Sequence, residues 1–292
     1  MTQELVSGPT AERFRGTVQR RTTLSAMQPA LLDRARTVSQ RHADLLRGAL
    51  GEEVLAVWLV GSAMLGDLSE DSDVDTVTLT DAPLGPEHAD ALREVHDTLA
   101  REFEGVRYDT TYLTADAIAR PPEPGVPIPF SQDGQLHLGE SCGEVHAVTW
   151  LSLPYAVPVA GVGPDDLAIT ADRSAAAAHS RENLHSYWAR VADQAGERLA
   201  GRDPDEPLAS QEGVLWMTLG APRLAMLVTR APCGGPIPSK TEAGRWVIDN
   251  LPDHADLARR ALAARSGEPV TFTVADGRQS ADLVILLVQG HD

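Results

Sequence analysis

Cysteine is scarce in this sequence of 292 residues, where only Cys142 and Cys233 occur. Two cysteines are too few for the disulfide framework that holds many small secreted domains together. Apolar runs are also short, since none reaches the roughly 18 residues of a membrane-spanning helix, and we find no apolar core of a signal peptide. These absences predict a cytoplasmic protein with no membrane partner.

Basic residues are in the minority. The chain has 25 lysine and arginine residues against 42 aspartate and glutamate residues, which gives a formal net charge of −17. Such a balance disfavours a nucleic-acid partner and favours a small cationic one. Hydrophobic residues make up 42% of the chain, enough for the cores of two domains. Composition leaves open whether the protein is a monomer or a homodimer.

The most informative stretch begins with the apolar run Val54–Val60, which has the pattern of a strand buried on both faces. Gly61 and Ser62 follow it directly. A glycine at the end of a strand lets the backbone approach a ligand closely, and a helix starting near Ser62 would present free N–H groups to a phosphate. The alternative is a serine that only caps a helix.

Two carboxylates follow in the next apolar run. Asp73 and Asp75 lie two residues apart, so the alternation of a strand sends both to one face. Adjacent carboxylates within an apolar sheet repel each other strongly unless a cation lies between them. A phosphate site beside a carboxylate-bound metal is the layout of phosphoryl or nucleotidyl transfer.

The spacing of these residues resembles the signature of the polymerase-beta-like nucleotidyltransferase superfamily. In that signature Gly-Ser is followed by Asp-x-Asp and a later third carboxylate; here Asp73 and Asp75 stand eleven and thirteen residues after Ser62. The resemblance implies that both aspartates bind Mg²⁺, that Gly61 and Ser62 bind ATP, and that all of them serve nucleotidyl transfer.

Asp109 is the candidate third carboxylate. It lies in the strand-like segment Val106–Thr114, where aspartate is unfavourable without a partner or a role. The resembling family has its third acid on such a strand, so Asp109 is expected to be catalytic, either as the general base or as a metal ligand. The family's base is a glutamate, however, and a simple pair with Arg107 on the same strand face is the alternative.

The sequence predicts an α+β fold, in which a nucleotidyltransferase domain with a mixed sheet and flanking helices precedes an all-helical bundle. The predicted divisions are a flexible arm over 1–25, the nucleotidyltransferase domain over 26–165 and the helical domain over 166–292. Apolar periodicity and capping residues predict helices over 31–50, 92–103, 173–200, 208–230, 239–250 and 253–265. A proline-rich segment over 120–135 is expected to run across the surface.

The helical half is similar to that of the aminoglycoside 3''-adenylyltransferases, which modify streptomycin and spectinomycin and so confer antibiotic resistance. The similarity lies in Pro222-Arg223-Leu, in 237–246 and in Asn250-Leu-Pro. It implies that Arg223 and Lys240 contact ATP phosphates. The alternative for Lys240 is a solvated lysine in a first helical turn, which is the unfavourable helix end for a cation unless an anion lies nearby.

The resemblance implies transfer of AMP from ATP to a hydroxyl of a small, cationic molecule such as an aminoglycoside, with release of pyrophosphate. Candidate acceptor contacts are Glu140, Trp150 and Glu212, although core packing is the more common fate of such a tryptophan. Two other functions stay open: adenylyl transfer to a protein or a biosynthetic intermediate, and a non-catalytic nucleotide-binding regulator. The family's ATP-stacking aromatic has no match near Ser266, and the tail over 270–292 resembles nothing we can identify.

One further cluster invites a metal hypothesis. His137, Glu140, Cys142, Glu144 and His146 follow one another closely, but their spacing matches no standard zinc ligand pattern. The sequence favours two other interpretations: these are strand residues that alternate between two faces, or acids that line a pocket for a cation.

Overall fold

A computed structural model describes residues 27–119, 121–123, 125–229 and 235–291. The predicted flexible arm over 1–25 and Cys233 lie outside the described residues. None of the described helices is long and apolar enough to cross a membrane.

The described residues form an α+β fold of six strands and ten α-helices. The strands are β1 Val54–Leu59, β2 Val74–Thr80, β3 Tyr108–Thr114, β4 Phe130–Gln132, β5 Gln135–His137 and β6 Val157–Gly161. The helices are α1 Met27–Leu50, α2 Gly61–Leu65, α3 Ala89–Glu102, α4 Ala147–Ser152, α5 Arg173–Asn183, α6 Ala189–Leu199, α7 Glu212–Thr229, α8 Lys240–Asn250, α9 Ala255–Arg265 and α10 Val274–Gln289. The predicted fold class is therefore confirmed.

The sheet is mixed, with strand order β5-β4-β3-β2-β1-β6. Only the β2–β3 pair is parallel, because α3 carries the chain back across the sheet between them; the other pairs are antiparallel. Helices α1 and α3 pack together, and the apolar positions Val38, Leu46, Leu92 and Val95 are buried. This arrangement brings the ends of β2 and β3, which carry the three aspartates, next to each other.

The predicted surface path over 120–135 is wrong at its end. Phe130–Gln132 pairs with β3, and the two residues Asp133 and Gly134 turn the chain into β5. Their φ angles are 50° and 75°, the left-handed conformation that a two-residue hairpin turn requires and that Asp-Gly adopts readily. The prolines that precede Phe130 disfavour a strand, so the sequence pattern gave no indication of β4.

The C-terminal half is helical, as predicted. Asp172 caps α5 by accepting the N–H groups of Ser174 at 2.8 Å and Ala175 at 3.0 Å, and the predicted capping box of Ser239 and Glu242 starts α8. The helix predicted over 173–200 is present as α5 and α6, which the π-helical segment Leu184–Trp188 joins without a break.

The unassigned tail contributes the last helix, α10, to the core of the helical half. Leu283 and Val284 are both 0% exposed and pack against α6 and α7 residues such as Ala192 and Met217. The tail is thus part of the apolar core that holds α7 in place. The domain boundaries drawn from the sequence stay a prediction.

Candidate active site

The register between β2 and β3 pairs Asp75 with Asp109. Paired residues on neighbouring strands project from the same face of a sheet at close distance. The pKa of Asp75 is raised to about 7, chiefly by burial and then by the charges of Asp73, Asp109 and Glu144. The electrostatics show that these carboxylates share one site, where each disfavours ionisation of the next.

Gly61 closes the site beside Asp75. Its φ angle is +56°, and a Cβ atom built on it would lie 2.0 Å from Asp75 Oδ2. The N–H of Val60 donates to the Asp75 carbonyl oxygen at 2.9 Å. The Gly61-Ser62 turn and the aspartates therefore lie on the same side of the sheet, and only glycine leaves room for the carboxylate.

Asp73 precedes β2 and contacts Arg107. Its Oδ1 atom lies 2.6 Å from Arg107 Nε in an ion pair, yet this oxygen is buried without a hydrogen bond of good geometry. Arg107 also donates to the carbonyl oxygen of Asp71. The alternative pairing of Arg107 with Asp109, left open by the sequence, is therefore wrong.

Asp109 is oriented by the hairpin turn between β4 and β5. Its Oδ1 accepts the main-chain N–H of Asp133 at 2.9 Å. The pKa of Asp109 is raised to about 6 by burial first and then by the charges of Asp73 and Asp133, while the Asp133 N–H and the charge of Arg107 oppose the shift. That bond engages only one of the two carboxylate oxygens of Asp109.

Two predicted cations approach these acids from the helical half. Burial lowers the pKa of Lys240, as do the nearby charges of Arg265 and Arg223, whereas Asp73 and Asp75 raise it. Lys240 is only partly exposed, so it differs from the solvated lysine of the alternative reading. Arg223 is fixed by donation from its Nε to the carbonyl oxygen of Pro238 at 2.8 Å.

The three residues predicted to contact the acceptor lie in three different environments. Glu212 begins α7 on the exposed surface, close enough to Asp73 to raise its pKa after the larger effect of burial. Glu140 lies on the surface 3.2 Å from His137. Trp150 is 0% exposed and donates its Nε1–H to the carbonyl oxygen of Ile118 at 3.0 Å.

The prediction that Trp150 contacts the acceptor is therefore wrong, because a core tryptophan has no face left for a ligand. Its apolar bulk fills the space between the sheet and the segment that leads to the helical half, next to Trp58 and Leu153. The contacts of Glu140 and Glu212 with an acceptor stay predictions.

The sequence reasoning missed two acids as partners of the aspartates, Asp133 and Glu144, and one contact between the two halves, made by Asp67. Asp133 could have been found from its Asp-Gly turn signal, had the strands around it been recognised. Glu144 is exposed in the loop before α4, and its charge acts on both Asp75 and Arg223. Asp67, just after α2, contacts the helical half, and no sequence pattern points to that contact.

The carboxylates fit a magnesium ion shared with a nucleotide. Within the described residues, no group of three or more His, Cys, Asp or Glu side chains converges as a complete metal site. Mg²⁺ does not need one, since it is usually held by one or two carboxylates together with substrate phosphates and water. The buried, hydrogen-bond-free Oδ1 of Asp73 beside Asp75 supplies that kind of oxygen donor.

Comparison with known families decides the class of enzyme. The model of the nucleotidyltransferase domain family matches residues 43–119, which include the Gly-Ser turn and all three aspartates. The chain carries a nucleotidyltransferase domain. The resemblance to polymerase-beta-like nucleotidyltransferases is thus confirmed, and this nucleotidyltransferase is an enzyme of the transferase class.

The fold of this nucleotidyltransferase extends the similarity beyond the matched domain. The crystal structure of spectinomycin adenyltransferase AAD(9) from Enterococcus faecialis, with ATP and spectinomycin, superimposes with a TM-score of 0.59. The sequences are 14% identical, and the match covers 87% of this chain and 98% of that chain. The shared fold therefore includes the helical half. Comparison with curated protein sequences gives no match.

Proposed function

We propose that this nucleotidyltransferase transfers AMP from ATP to a hydroxyl group of a small cationic molecule, such as an aminoglycoside, and releases pyrophosphate. The observation that carries the proposal is the in-register pair of Asp75 and Asp109 against Gly61, with Lys240 and Arg223 on the facing side. Acids for a metal, a glycine turn and fixed cations are the parts that transfer from a nucleoside triphosphate requires.

Each side chain has a role in this reaction. Asp73 and Asp75 would hold Mg²⁺, which when bound stabilises charge on the phosphates and activates the attacking oxygen. Gly61 and Ser62 offer main-chain N–H groups to the terminal phosphates, and Lys240 and Arg223 neutralise their charge.

Asp109 is the group best suited to accept the proton. Its pKa of about 6 leaves it ionised at neutral pH yet basic enough to take a proton from an acceptor hydroxyl. The hydroxyl oxygen then attacks the α-phosphorus, the bond to the β-phosphate oxygen breaks, and pyrophosphate leaves. The Asp133 N–H holds one oxygen of Asp109, so the other is presented in a fixed direction.

The charge at the mouth of the site favours a cationic acceptor. Three exposed acids act electrostatically on the aspartates: Asp133 on both Asp73 and Asp109, Glu144 on Asp75 and Glu212 on Asp73. Amino groups on the acceptor would offset this concentration of negative charge. The similar fold of an enzyme crystallised with ATP and spectinomycin supports an acceptor of this class. The ATP requirement agrees with the cytoplasmic location predicted from the sequence.

The test is pyrophosphate release by the purified protein with ATP, Mg²⁺ and a panel of aminoglycosides and aminocyclitols, followed by mass spectrometry of the acceptor. We expect one acceptor to gain a single AMP unit, and we expect chelation of Mg²⁺ to stop the reaction. ATP binding without pyrophosphate release for any panel member would overturn the acceptor class. If the Asp75→Asn variant still transferred AMP, the assignment of these carboxylates as the active site would be overturned.

A further inference from the structure

We propose that Asp67 is a positioning residue for nucleotide binding: it ties the Gly61-Ser62 turn to two helix ends of the helical half and thereby fixes the gap that receives the phosphates of ATP. The inference rests on the proposed function in so far as it takes MgATP as the nucleotide. It concerns a residue outside the Gly-Ser and Asp-x-Asp signature.

Asp67 is rigidly connected to the glycine turn. It follows α2 directly after Gly66, which adopts a φ of 64° and ends that short helix. The N–H of Asp67 donates to the carbonyl oxygen of Ser62 at 2.9 Å. Any displacement of Asp67 therefore displaces the main-chain groups of the turn that are proposed to hold phosphate.

The side chain of Asp67 contacts α8 in the other half of the molecule. Its Oδ2 accepts the main-chain N–H of Thr241 at 3.1 Å, and its Oδ1 accepts the Thr241 hydroxyl. Thr241 lies in the first turn of α8, where backbone N–H groups lack partners within the helix and an anion is favourable. Lys240, the proposed phosphate contact, is the residue immediately before it.

A second helix end contacts the same residue. Arg265, the last residue of α9, donates from Nη2 to the Asp67 carbonyl oxygen and lies 3.5 Å from Asp67 Oδ2. The side chains of Asp67 and Arg265 are only 13% and 12% exposed. Such shielding makes a charged hydrogen-bonded pair stronger than one on the open surface.

The contact also balances the cations that surround the phosphate gap. Arg223 and Arg265 both act on Lys240 as like charges, and Asp67 acts on Arg223 as the opposite charge. Without the negative charge of Asp67, the repulsion among the three cations of α7, α8 and α9 is less well balanced. We therefore expect the helical half to move away from the turn when Asp67 is replaced.

The two halves stay joined at a different place. Leu151 of α4 packs with Ala176 of α5 and Leu227 of α7 in a small apolar cluster. Loss of the Asp67 contact is therefore expected to widen the gap without separating the halves or unfolding either of them.

Calorimetric binding of MgATP tests the inference without any acceptor. Asp67→Ala removes every side-chain contact, Asp67→Asn keeps an acceptor oxygen but no charge, and Thr241→Val removes only the hydroxyl bond. If about one molecule in ten keeps the gap closed in Asp67→Ala, its Kd for MgATP rises about tenfold, because apparent affinity falls with the competent fraction. The other two variants should fall between Asp67→Ala and the wild type, and Thr241→Ser should restore binding.

Glu70→Gln is the matched control, since Glu70 is an exposed acid on the same connection. Its Kd should stay within about twofold of the wild type, as for most surface substitutions. A wild-type Kd in Asp67→Ala with retained secondary structure would overturn the inference. If that variant does not fold, wild-type affinity in both Asp67→Asn and Thr241→Val would do so. If the wild-type protein binds MgATP but releases no pyrophosphate with any acceptor, that result counts against the proposed function. The binding test of Asp67 remains valid in that case.

Discussion

Arg107 Nε lies 2.6 Å from Oδ1 of Asp73, so one proposed metal ligand is paired with a cation of the protein itself. A divalent ion at Asp73 would compete with the guanidinium for the same oxygen. Arg107→Gln should therefore lower the Mg²⁺ concentration for half-maximal pyrophosphate release by about two- to fivefold, since partly exposed pairs contribute up to about 1 kcal/mol. A magnesium titration of the initial rate measures this.

Arg93→Gln is the control for that titration. Arg93 forms a similar exposed pair with Asp90 at 2.7 Å, on α3 away from the aspartates. Its magnesium requirement should match that of the wild type. A higher requirement in Arg107→Gln would mean that Arg107 orients Asp73 for the metal and does not compete with it.

Gly61→Ala should abolish turnover and destabilise the protein. The new Cβ would lie 2.0 Å from Asp75 Oδ2 at a φ of +56°, so both the carboxylate and the backbone must move. Gly48→Ala is the matched control, because Gly48 lies within α1 and nothing lies within 4 Å of an added Cβ. The control should stay active and gain up to about 1 kcal/mol of stability. Activity assays with urea unfolding of both variants test the prediction; an active Gly61→Ala protein would contradict it.

Asp75→Asn should stop turnover while it stabilises the metal-free protein at pH 8. The folded wild type has a raised Asp75 pKa of about 7, so the carboxyl holds its proton longer than in the unfolded chain. Stability from this group is therefore greatest at low pH and is lost as pH rises toward 7, by up to about 4 kcal/mol. Unfolding in the presence of chelator should show the gain at pH 8 and little of it at pH 5.

Buried histidines at the face of the sheet that packs on α1 and α3 are expected to give the free energy of unfolding the opposite pH dependence. There His42 and His96 both contact the hydroxyl of Tyr112, at 3.2 and 2.8 Å. Burial lowers the pKa of His96 to about 4, so between pH 6.5 and pH 4 the unfolded chain binds a proton at this residue and the folded protein does not. The contribution of His96 to stability is fully present above pH 6.5 and falls by about 3 kcal/mol as pH drops toward 4.

Unfolding of the Asp75→Asn protein between pH 7 and pH 4.5 measures this loss of stability without the opposing contribution of Asp75. Replacing His96 with glutamine in that background keeps a polar partner for Tyr112 but removes the titrating group. The pH slope should become smaller. An unchanged slope would assign the acid sensitivity to other residues.

Local patterns in the sequence were sufficient to bring the three aspartates and the Gly61-Ser62 turn together, because these residues follow strand geometry. The alternation around Asp73 and Asp75 and the strand around Asp109 specify which side chains share a face, and the glycine before Ser62 specifies close approach. The family resemblance supplied Arg223 and Lys240, which no periodicity brings near the sheet.

Long-range packing accounts for what the sequence could not predict. Trp150 carries the same side chain whether it stacks on a ligand or fills a core, and only the packing of the sheet against the following segment decides. The contact of Asp67 with Thr241 joins residues 174 positions apart, so it depends on how the two halves meet. Helix α10 likewise has an apolar surface that the rest of the helical half must cover before its role can be seen.

The most direct test of the central claim is the fate of label from ATP in the presence of Mg²⁺ and a cationic hydroxylated acceptor. With ATP labelled at the α-phosphate, the wild type should place label on the acceptor, and Asp75→Asn and Asp109→Asn should place almost none there. With ATP labelled at the γ-phosphate, label should appear only in pyrophosphate. Label on the acceptor from the γ-phosphate, or α-label transfer by Asp75→Asn at the wild-type rate, would contradict a nucleotidyl-transfer site built on these carboxylates.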